Sequence, residues 1–162
     1  MFKNKEIRIK SSLTELYKVE AFVETISDVF NVNSNYYSTI LISLDEAVRN
    51  SIEHGNKFDE KKNVIIAFKT VQGALVFSVI DEGEGFNSKQ FNDPTNLESE
   101  LEMDLGKGLF LMKQLSDDLI FNKRGNEVSL HFKISGINRE LAIQRSSALN
   151  SFFQENKITV KN

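Results

Sequence analysis

The sequence predicts a single domain of mixed α-helices and β-strands with one further helix appended at its C-terminus. Helical periodicity in the N-terminal third gives way to alternating β-branched and aromatic residues, and it returns twice further along the chain. The 162 residues contain no internal repeat, and no linker divides them. A hydrophobic content of 40% is sufficient for a substantial core.

Composition excludes several classes of function. The net charge is −3 and no stretch concentrates lysine and arginine, so we expect no direct nucleic-acid partner. The chain has no cysteine, which removes disulfides, thiolate chemistry and cysteine metal sites. Neither a signal peptide nor an apolar run of membrane-spanning length is present. We therefore expect a cytoplasmic protein without a membrane partner.

The N-terminal segment predicts a strand followed by a helix. A short strand is expected over Glu6–Lys10, where isoleucines alternate with charged residues. Ser12 and Glu15 form the predicted capping box of the helix, whose apolar residues recur at helical spacing as far as Phe30. A polar loop is predicted over Asn31–Asn35.

The helix predicted over Ser38–Gly55 organises the rest of the chain. Its apolar residues form a core-facing stripe, and Gly55 is expected to end it in a left-handed conformation. Glu46, Asn50 and His54 are spaced four apart and therefore share a second face. A carboxylate and a carboxamide one turn apart can face a shared ligand. A solvated helix face is the alternative interpretation.

A β-hairpin and a glycine-containing loop follow this helix. The hairpin is predicted over Asn63–Val71 and Ala74–Ile80, and the second strand runs into Asp81, Gly83 and Gly85. Glycine allows a backbone to approach a ligand closely, and a carboxylate at a strand end can accept a hydrogen bond from an exocyclic amine. A simple turn is the alternative.

A long polar segment precedes the next predicted helix. Residues 87–105 lack periodicity and are predicted to form a lid or binding loop, with disorder as the alternative. Gly106, Lys107 and Gly108 are expected to open a helix that continues with Leu109. Free N–H groups at a helix start attract phosphate, and Lys107 adds a positive charge. The alternative to phosphate binding is that these glycines only help the helix to begin.

Two strands and a helix complete the chain. Strands are predicted over Asp118–Lys123 and Glu127–Ser135, with apolar residues from Val128 to Ile134 alternating inward and His131 on the other side. His131 lacks a companion ligand, so we expect no histidine metal site. The helix predicted over 137–157 should pack on its own sheet or on a second subunit.

Three motifs in a fixed order resemble the nucleotide-binding boxes of the GHKL ATPase superfamily. They are E-A-x-x-N-x-x-x-H-G at Glu46–Gly55, D-x-G-x-G-F at Asp81–Phe86 and G-K-G-L at Gly106–Leu109. Within that superfamily, residues 6–135 most resemble the bacterial anti-sigma-factor serine/threonine kinases, a likeness that includes the segment Phe91–Pro94.

The resemblance implies a fold and a division of the chain. The implied fold is an α+β sandwich of the Bergerat type, with a mixed, mainly antiparallel sheet covered by helices on one face and an extra C-terminal helix. The ATP-binding kinase domain would span residues 1–136, and the helical extension would span residues 137–162.

The resemblance also implies a ligand set. ATP would bind with Mg²⁺, with Glu46 as the base, Asn50 as the Mg²⁺ ligand and Asp81 as the acceptor of the adenine amine. The remaining nucleotide-binding residues would be His54, Gly83, Gly85, Gly106, Lys107, Gly108 and Leu109. Some members of the family carry an arginine in the lid where this chain has Asp104 and Leu105.

The implied activity is that of a serine/threonine kinase in a partner-switching module. Such a protein would phosphorylate a STAS-type anti-anti-sigma protein and sequester a sigma factor, and it would form a homodimer. A nucleotide-gated binding protein without phosphoryl transfer is the alternative. A detached ATP-binding domain of a histidine kinase is disfavoured, because His54 lies inside a motif and His131 on a predicted strand.

Overall fold

The computed structural model describes residues 4–91, 99–134 and 139–155, which form an antiparallel sheet and four helices. The strands are β1 (Asn4–Lys10), β2 (Asn63–Val71), β3 (Ala74–Asp81), β4 (Asp118–Phe121) and β5 (Glu127–Lys133). Their order in the sheet is β1-β2-β3-β5-β4, and every pairing is antiparallel. The predicted α+β sandwich is confirmed.

The four helices are α1 (Leu16–Phe30), α2 (Ser34–Asn50), α3 (Glu100–Leu115) and α4 (Arg139–Glu155). A 3₁₀ turn over Leu13–Glu15 leads into α1, and a π-helical turn over Ser51–Gly55 extends α2. None of the helices in the described ranges combines the length and the apolar character that a membrane crossing would need.

The core lies between one face of the sheet and helices α1, α2 and α3. Alternate residues of the strands point into it, as the predicted period of two requires. Phe68, Phe77 and Phe132 form a row of rings across β2, β3 and β5, with centroids 5.1 and 6.2 Å apart. The predicted inward position of Ile134 is wrong, because β5 ends at Lys133 and Ile134 is 50% exposed.

The predicted capping box before α1 is also wrong. The Ser12 side chain makes no cap hydrogen bond, and its Oγ lies 2.8 Å from Thr14 Oγ1. Glu15 instead pairs with Lys18, whose Nζ donates to its Oε2 at 2.6 Å. The first turn is therefore 3₁₀, and α1 begins only at Leu16.

Helix α2 differs from its prediction at both ends. It begins at Ser34, because Asn33 Oδ1 accepts a hydrogen bond from Tyr36 N at 3.0 Å and so caps the helix inside the predicted loop. At the other end the chain passes through the π-helical turn, and Gly55 does not adopt the expected left-handed conformation. The cap at Asn33 therefore sets the start of the helix that carries Glu46 and Asn50.

Helix α4 packs mainly on α2 and α3. Packing on the face of the sheet was one of the two expectations for this helix. Arg145 Nη2 donates to Asp117 Oδ1 at 2.7 Å, and both side chains are buried. Asp117 Oδ2 accepts a further hydrogen bond from Lys133 N at 2.7 Å. This ion pair and the buried Leu149 hold α4 against the domain.

Candidate functional site

The polar face of α2 lies against the middle of α3. A β-carbon added to Gly108 would lie 2.9 Å from Glu46 Oε2 and 3.3 Å from Asn50 Nδ2. Such distances are too short for any side chain at position 108 without a shift of its neighbours. The structure therefore brings together two of the three predicted motifs, and glycine at 108 permits the close crossing of the helices.

The environment of Glu46 favours its protonated form. Burial raises the pKa of Glu46 to about 7, the negative charge of Asp45 adds to the effect, and Arg49 opposes it. The carboxylates of Asp104 and Glu53 contribute in the same direction as Asp45. A carboxyl group that titrates near neutral pH can accept a proton and release it again under physiological conditions, as a general base must.

The carboxamide of Asn50 contains an unsatisfied nitrogen. Its Nδ2 is buried and has no hydrogen-bond partner in the described part of the chain. Buried polar groups are normally paired, so an unpaired one requires an explanation. The carboxamide can turn its oxygen toward a cation without losing a partner, and an amide oxygen is a donor that Mg²⁺ prefers. The residue therefore fits the predicted role of a metal ligand.

His54 lies in the π-helical turn and faces α3. Its Nε2 is 4.0 Å from Asp104 Oδ2, and the Glu53 carboxylate belongs to the same cluster. π-Helical turns are rare and occur often at functional sites. Asp104, which stands where some members of the resembled family carry an arginine, here lies beside a histidine.

Asp81 ends β3 as a buried carboxylate. Its Oδ1 accepts a hydrogen bond from Gly83 N at 2.8 Å, and its backbone oxygen accepts one from Asn126 Nδ2 at 3.0 Å. Burial raises the pKa of Asp81, whereas the Gly83 hydrogen bond lowers it. The side chain is thus held in one orientation, with its carboxylate at the base of a cavity.

Packing of the protein on itself explains three glycines. A β-carbon on Gly55 would lie 2.5 Å from Asp81 Cγ, and one on Gly83 would overlap the Gly55 carbonyl. Gly85 has φ +81°, and a β-carbon there would overlap the carbonyl of Arg124. Gly55 is therefore required by its contact with Asp81, not by the left-handed cap that the sequence predicted. Ligand approach at Gly83 and Gly85 stays a prediction.

A cavity of about 60 Å³ lies between α2, α3 and the ends of β3 and β5. This volume is well below the roughly 300–1,000 Å³ of typical small-molecule sites. Polar groups of Asn50, His54 and Asp81 reach it, as does Gly85. Its apolar wall consists of Ala47, Val79, Phe86, Leu105, Leu109, Met112, Phe121 and Val128. Asp81 and Glu127 also line the cavity, and a carboxylate in a largely apolar cavity can accept a hydrogen bond from an amine on a heteroaromatic ring.

The predicted start of α3 is wrong. The helix begins at Glu100, where Ser99 Oγ accepts from Glu102 N at 3.1 Å and Glu102 Oε2 accepts from Ser99 N at 3.2 Å. This capping box is visible in the sequence as S-x-x-E, a pattern that the prediction missed. Gly106 and Gly108 consequently lie inside the helix, where N–H groups donate to carbonyls one turn earlier and are not free for phosphate.

Part of the predicted lid lies outside the described residues. A 3₁₀ turn occupies Ser88–Phe91 within the predicted loop over 87–105. Residues 92–98, which include Pro94 and most of the segment Phe91–Pro94, are not among those described.

A second cavity lies on the other side of Glu46, between α3 and α4. Lys107 and Gly108 line it from α3, and Ser151 and Phe152 line it from α4. The sequence predicts no role for these α4 residues, because nothing in a helical pattern indicates which part of the domain the helix will contact. Lys107 thus lines a different cavity from Asp81.

The comparisons with known proteins agree with this geometry. A family described as "Histidine kinase-like ATPase domain" matches residues 9–132. Among solved structures, the RsbU and RsbW domains of Rv1364c from Mycobacterium tuberculosis are similar to this chain, with a TM-score of 0.56 and 18% sequence identity. That match covers 80% of this chain and 32% of the other, and it concerns the fold. No curated protein matches the chain.

Proposed function

Because this chain belongs to the histidine kinase-like ATPase domain family, we propose that it is an ATP-dependent serine/threonine protein kinase that acts as an anti-sigma factor. In this proposal it phosphorylates a STAS-type anti-anti-sigma protein and sequesters a sigma factor in the cytoplasm, as a homodimer. The observation that carries the proposal is the position of the Glu46 carboxyl group, which lies with the Asn50 carboxamide against Gly108 where α2 crosses α3.

Membership of the family implies ATP as the ligand. In the proposal, adenine occupies the cavity lined by Asn50 and Asp81, and its amine donates to the Asp81 carboxylate. The Asn50 carboxamide oxygen holds Mg²⁺, which when bound would neutralise charge on the phosphates. Phosphate contacts are assigned to the segment Gly106–Leu109, chiefly through the ammonium group of Lys107, because the N–H groups of this segment lie inside α3.

Transfer requires a base at the acceptor hydroxyl. The acceptor oxygen forms a bond to the terminal phosphorus while the bond between that phosphorus and ADP breaks, and the hydroxyl proton passes to the Glu46 carboxylate. About half of the Glu46 side chains are ionised near pH 7. We therefore expect the transfer rate to rise with pH through about 7, the pKa of the group.

The first test is transfer of labelled phosphate from ATP to purified STAS-type proteins encoded in the same genome. We expect a phosphoserine or phosphothreonine on one of them. With Asn50→Ala, nucleotide affinity and transfer should fall together, by at least roughly 10-fold, because the metal joins the protein to the phosphates. Normal phosphate transfer by the Asn50→Ala variant would show that Asn50 is not part of the site.

A nucleotide-gated binding protein is the second candidate. Asp104 favours this candidate, because this chain has a carboxylate at a position where some kinases of the resembled family have an arginine. In that case, calorimetry would show ATP binding and ATP-dependent capture of the STAS-type partner, with no labelled phosphate on it.

Replacement of Asp81 by asparagine should weaken ATP binding about tenfold, because a neutral acceptor replaces a charged one. Burial raises the pKa of Asp81, so the neutral side chain should not destabilise the fold, and the melting temperature without nucleotide serves as the control. GTP carries a carbonyl where ATP carries the amine, so it should protect the wild type from heat much less than ATP. Equal protection by the two nucleotides would contradict the assignment.

A further inference from the structure

Two cavities meet at the crossing of α2 and α3. Asn50 opens into the cavity that contains Asp81, whereas Glu46 opens into the cavity between α3 and α4. Gly108 lies between them, close to both Glu46 and Asn50. A phosphoryl group held near Asn50 and an acceptor hydroxyl beside Glu46 would therefore lie about one turn of α2 apart, on the same face of the helix.

The cavity between α3 and α4 is larger than the first, with a volume of about 730 Å³. Its α3 wall contains Asp104 and Phe110, and Phe110 is 49% exposed. Its α4 wall contains Ser151, Phe152 and Glu155. The space can admit part of a chain segment, and Glu46 is one of the residues that line it.

Helix α4 is fixed where it forms this wall. The Arg145–Asp117 ion pair is buried, with side chains only 5% and 9% exposed, and Leu149 is buried on the same helix. Asp117 is in turn bonded to the backbone of β5 through Lys133 N. The position of Ser151 and Glu155 relative to Glu46 thus depends on contacts built into the domain.

We propose that the cavity between α3 and α4 receives the phosphate acceptor, a serine- or threonine-bearing segment of the partner protein with an apolar and a basic residue near the hydroxyl. This inference rests on the proposed kinase function and adds the route by which the acceptor reaches Glu46. It makes α4, which lies beyond the matched family region of residues 9–132, a part of partner recognition.

The side chains of the cavity define this occupant. Glu46, Asp104 and Glu155 contribute carboxyl groups, against the single ammonium group of Lys107 among the side chains that line the cavity. Such a surface repels a second nucleotide and attracts lysine or arginine. Phe110 and Phe152 offer apolar contact to a side chain beside the acceptor hydroxyl.

The test compares two identical substitutions on α4. Ser151 and Ser147 are both exposed, but only Ser151 is among the residues that line the cavity. With a STAS-type protein from the same genome as acceptor, Ser151→Trp should lower transfer at least tenfold, since the indole fills the entry. Ser147→Trp should transfer at close to the wild-type rate, and both variants should bind ATP like the wild type.

The outcomes separate this inference from the function on which it rests. Equal transfer by Ser151→Trp and wild type would overturn the acceptor route while leaving the kinase function in place. Failure of the wild type to phosphorylate any STAS-type protein would overturn both. As a second variant, Glu155→Lys should raise the KM for the acceptor severalfold without changing the KM for ATP, and an unchanged KM for the acceptor would contradict the charge argument.

Discussion

Glu46→Gln is expected to lower the rate of phosphoryl transfer by about 10²- to 10⁴-fold while ATP affinity is largely retained, because a general base acts mainly in the transition state. Glutamine keeps the volume of the side chain against Gly108, so the helix crossing should survive. Calorimetry measures ATP binding, and labelled phosphate on the acceptor measures transfer. Loss of ATP binding together with unfolding would show that Glu46 is structural.

The same variant should be more stable than the wild type at high pH. Burial raises the pKa of Glu46 from 4.5 to about 7, so between these values the folded protein holds a proton that the unfolded chain has lost. Stability of the wild type therefore falls as pH rises through this window, and the full loss is present above pH 7. At pH 8 the penalty is roughly 3 kcal/mol, which glutamine removes.

A surface carboxylate provides the control for this effect. Glu24 is exposed on α1, and Glu24→Gln also removes one negative charge. We expect the melting temperature of Glu46→Gln to exceed that of the wild type by several degrees at pH 8 and by little at pH 4.5. Glu24→Gln should show no such difference. Identical melting profiles for all three proteins would contradict the raised pKa.

The second large effect is expected at the buried ion pair between Arg145 of α4 and Asp117. Asp117→Ala should reduce the free energy of unfolding by about 3–5 kcal/mol, because it leaves a buried guanidinium without a counter-charge. Two nitrogens of Arg145, Nε and Nη1, already lack a hydrogen-bond partner within the described ranges. Arg145→Met should cost less, since Asp117 keeps its hydrogen bond from Lys133 N. Urea unfolding measures both variants.

A partly exposed ion pair between the 3₁₀ turn and α1 is the matched comparison. Lys18 Nζ donates to Glu15 Oε2 at 2.6 Å, which is as short as the buried pair, but the Lys18 side chain is 42% exposed. Glu15→Ala should therefore change the urea midpoint little, since water replaces the lost contact. If Asp117→Ala changed the midpoint no more than Glu15→Ala, α4 would not depend on the buried pair.

The sequence predicted the sheet more accurately than the helix ends. Strands β2 and β3 lie where alternation and the Gln72-Gly73 turn predicted them, because period-two patterning and positive φ at a hairpin turn are local properties. Helix ends depend on which of several polar residues captures the free N–H groups. Ser12 was expected to cap and does not, whereas Asn33 and Ser99 do.

The site was predictable as a set of residues but not as a geometry. Motif spacing indicated Glu46, Asn50 and Asp81; the structure places Glu46 and Asn50 at one helix crossing, and Asp81 lines the same cavity as Asn50. Nothing local in the sequence indicates that Glu46 opens toward α4 while Asn50 opens toward Asp81, because that division depends on how α3 crosses α2. The roles of these residues and the domain boundary after residue 136 stay predictions.

Gly106 and Gly108 make the middle of α3 the place where this helix most readily comes apart. A glycine inside a helix costs roughly 1 kcal/mol relative to alanine, and two lie within one turn here. The capping box at Ser99 acts against this destabilisation, because it stabilises the start of the helix. Local opening of the segment from Ser99 to Gly108 thus requires far less free energy than global unfolding, and its amides should exchange with solvent well before those of β3.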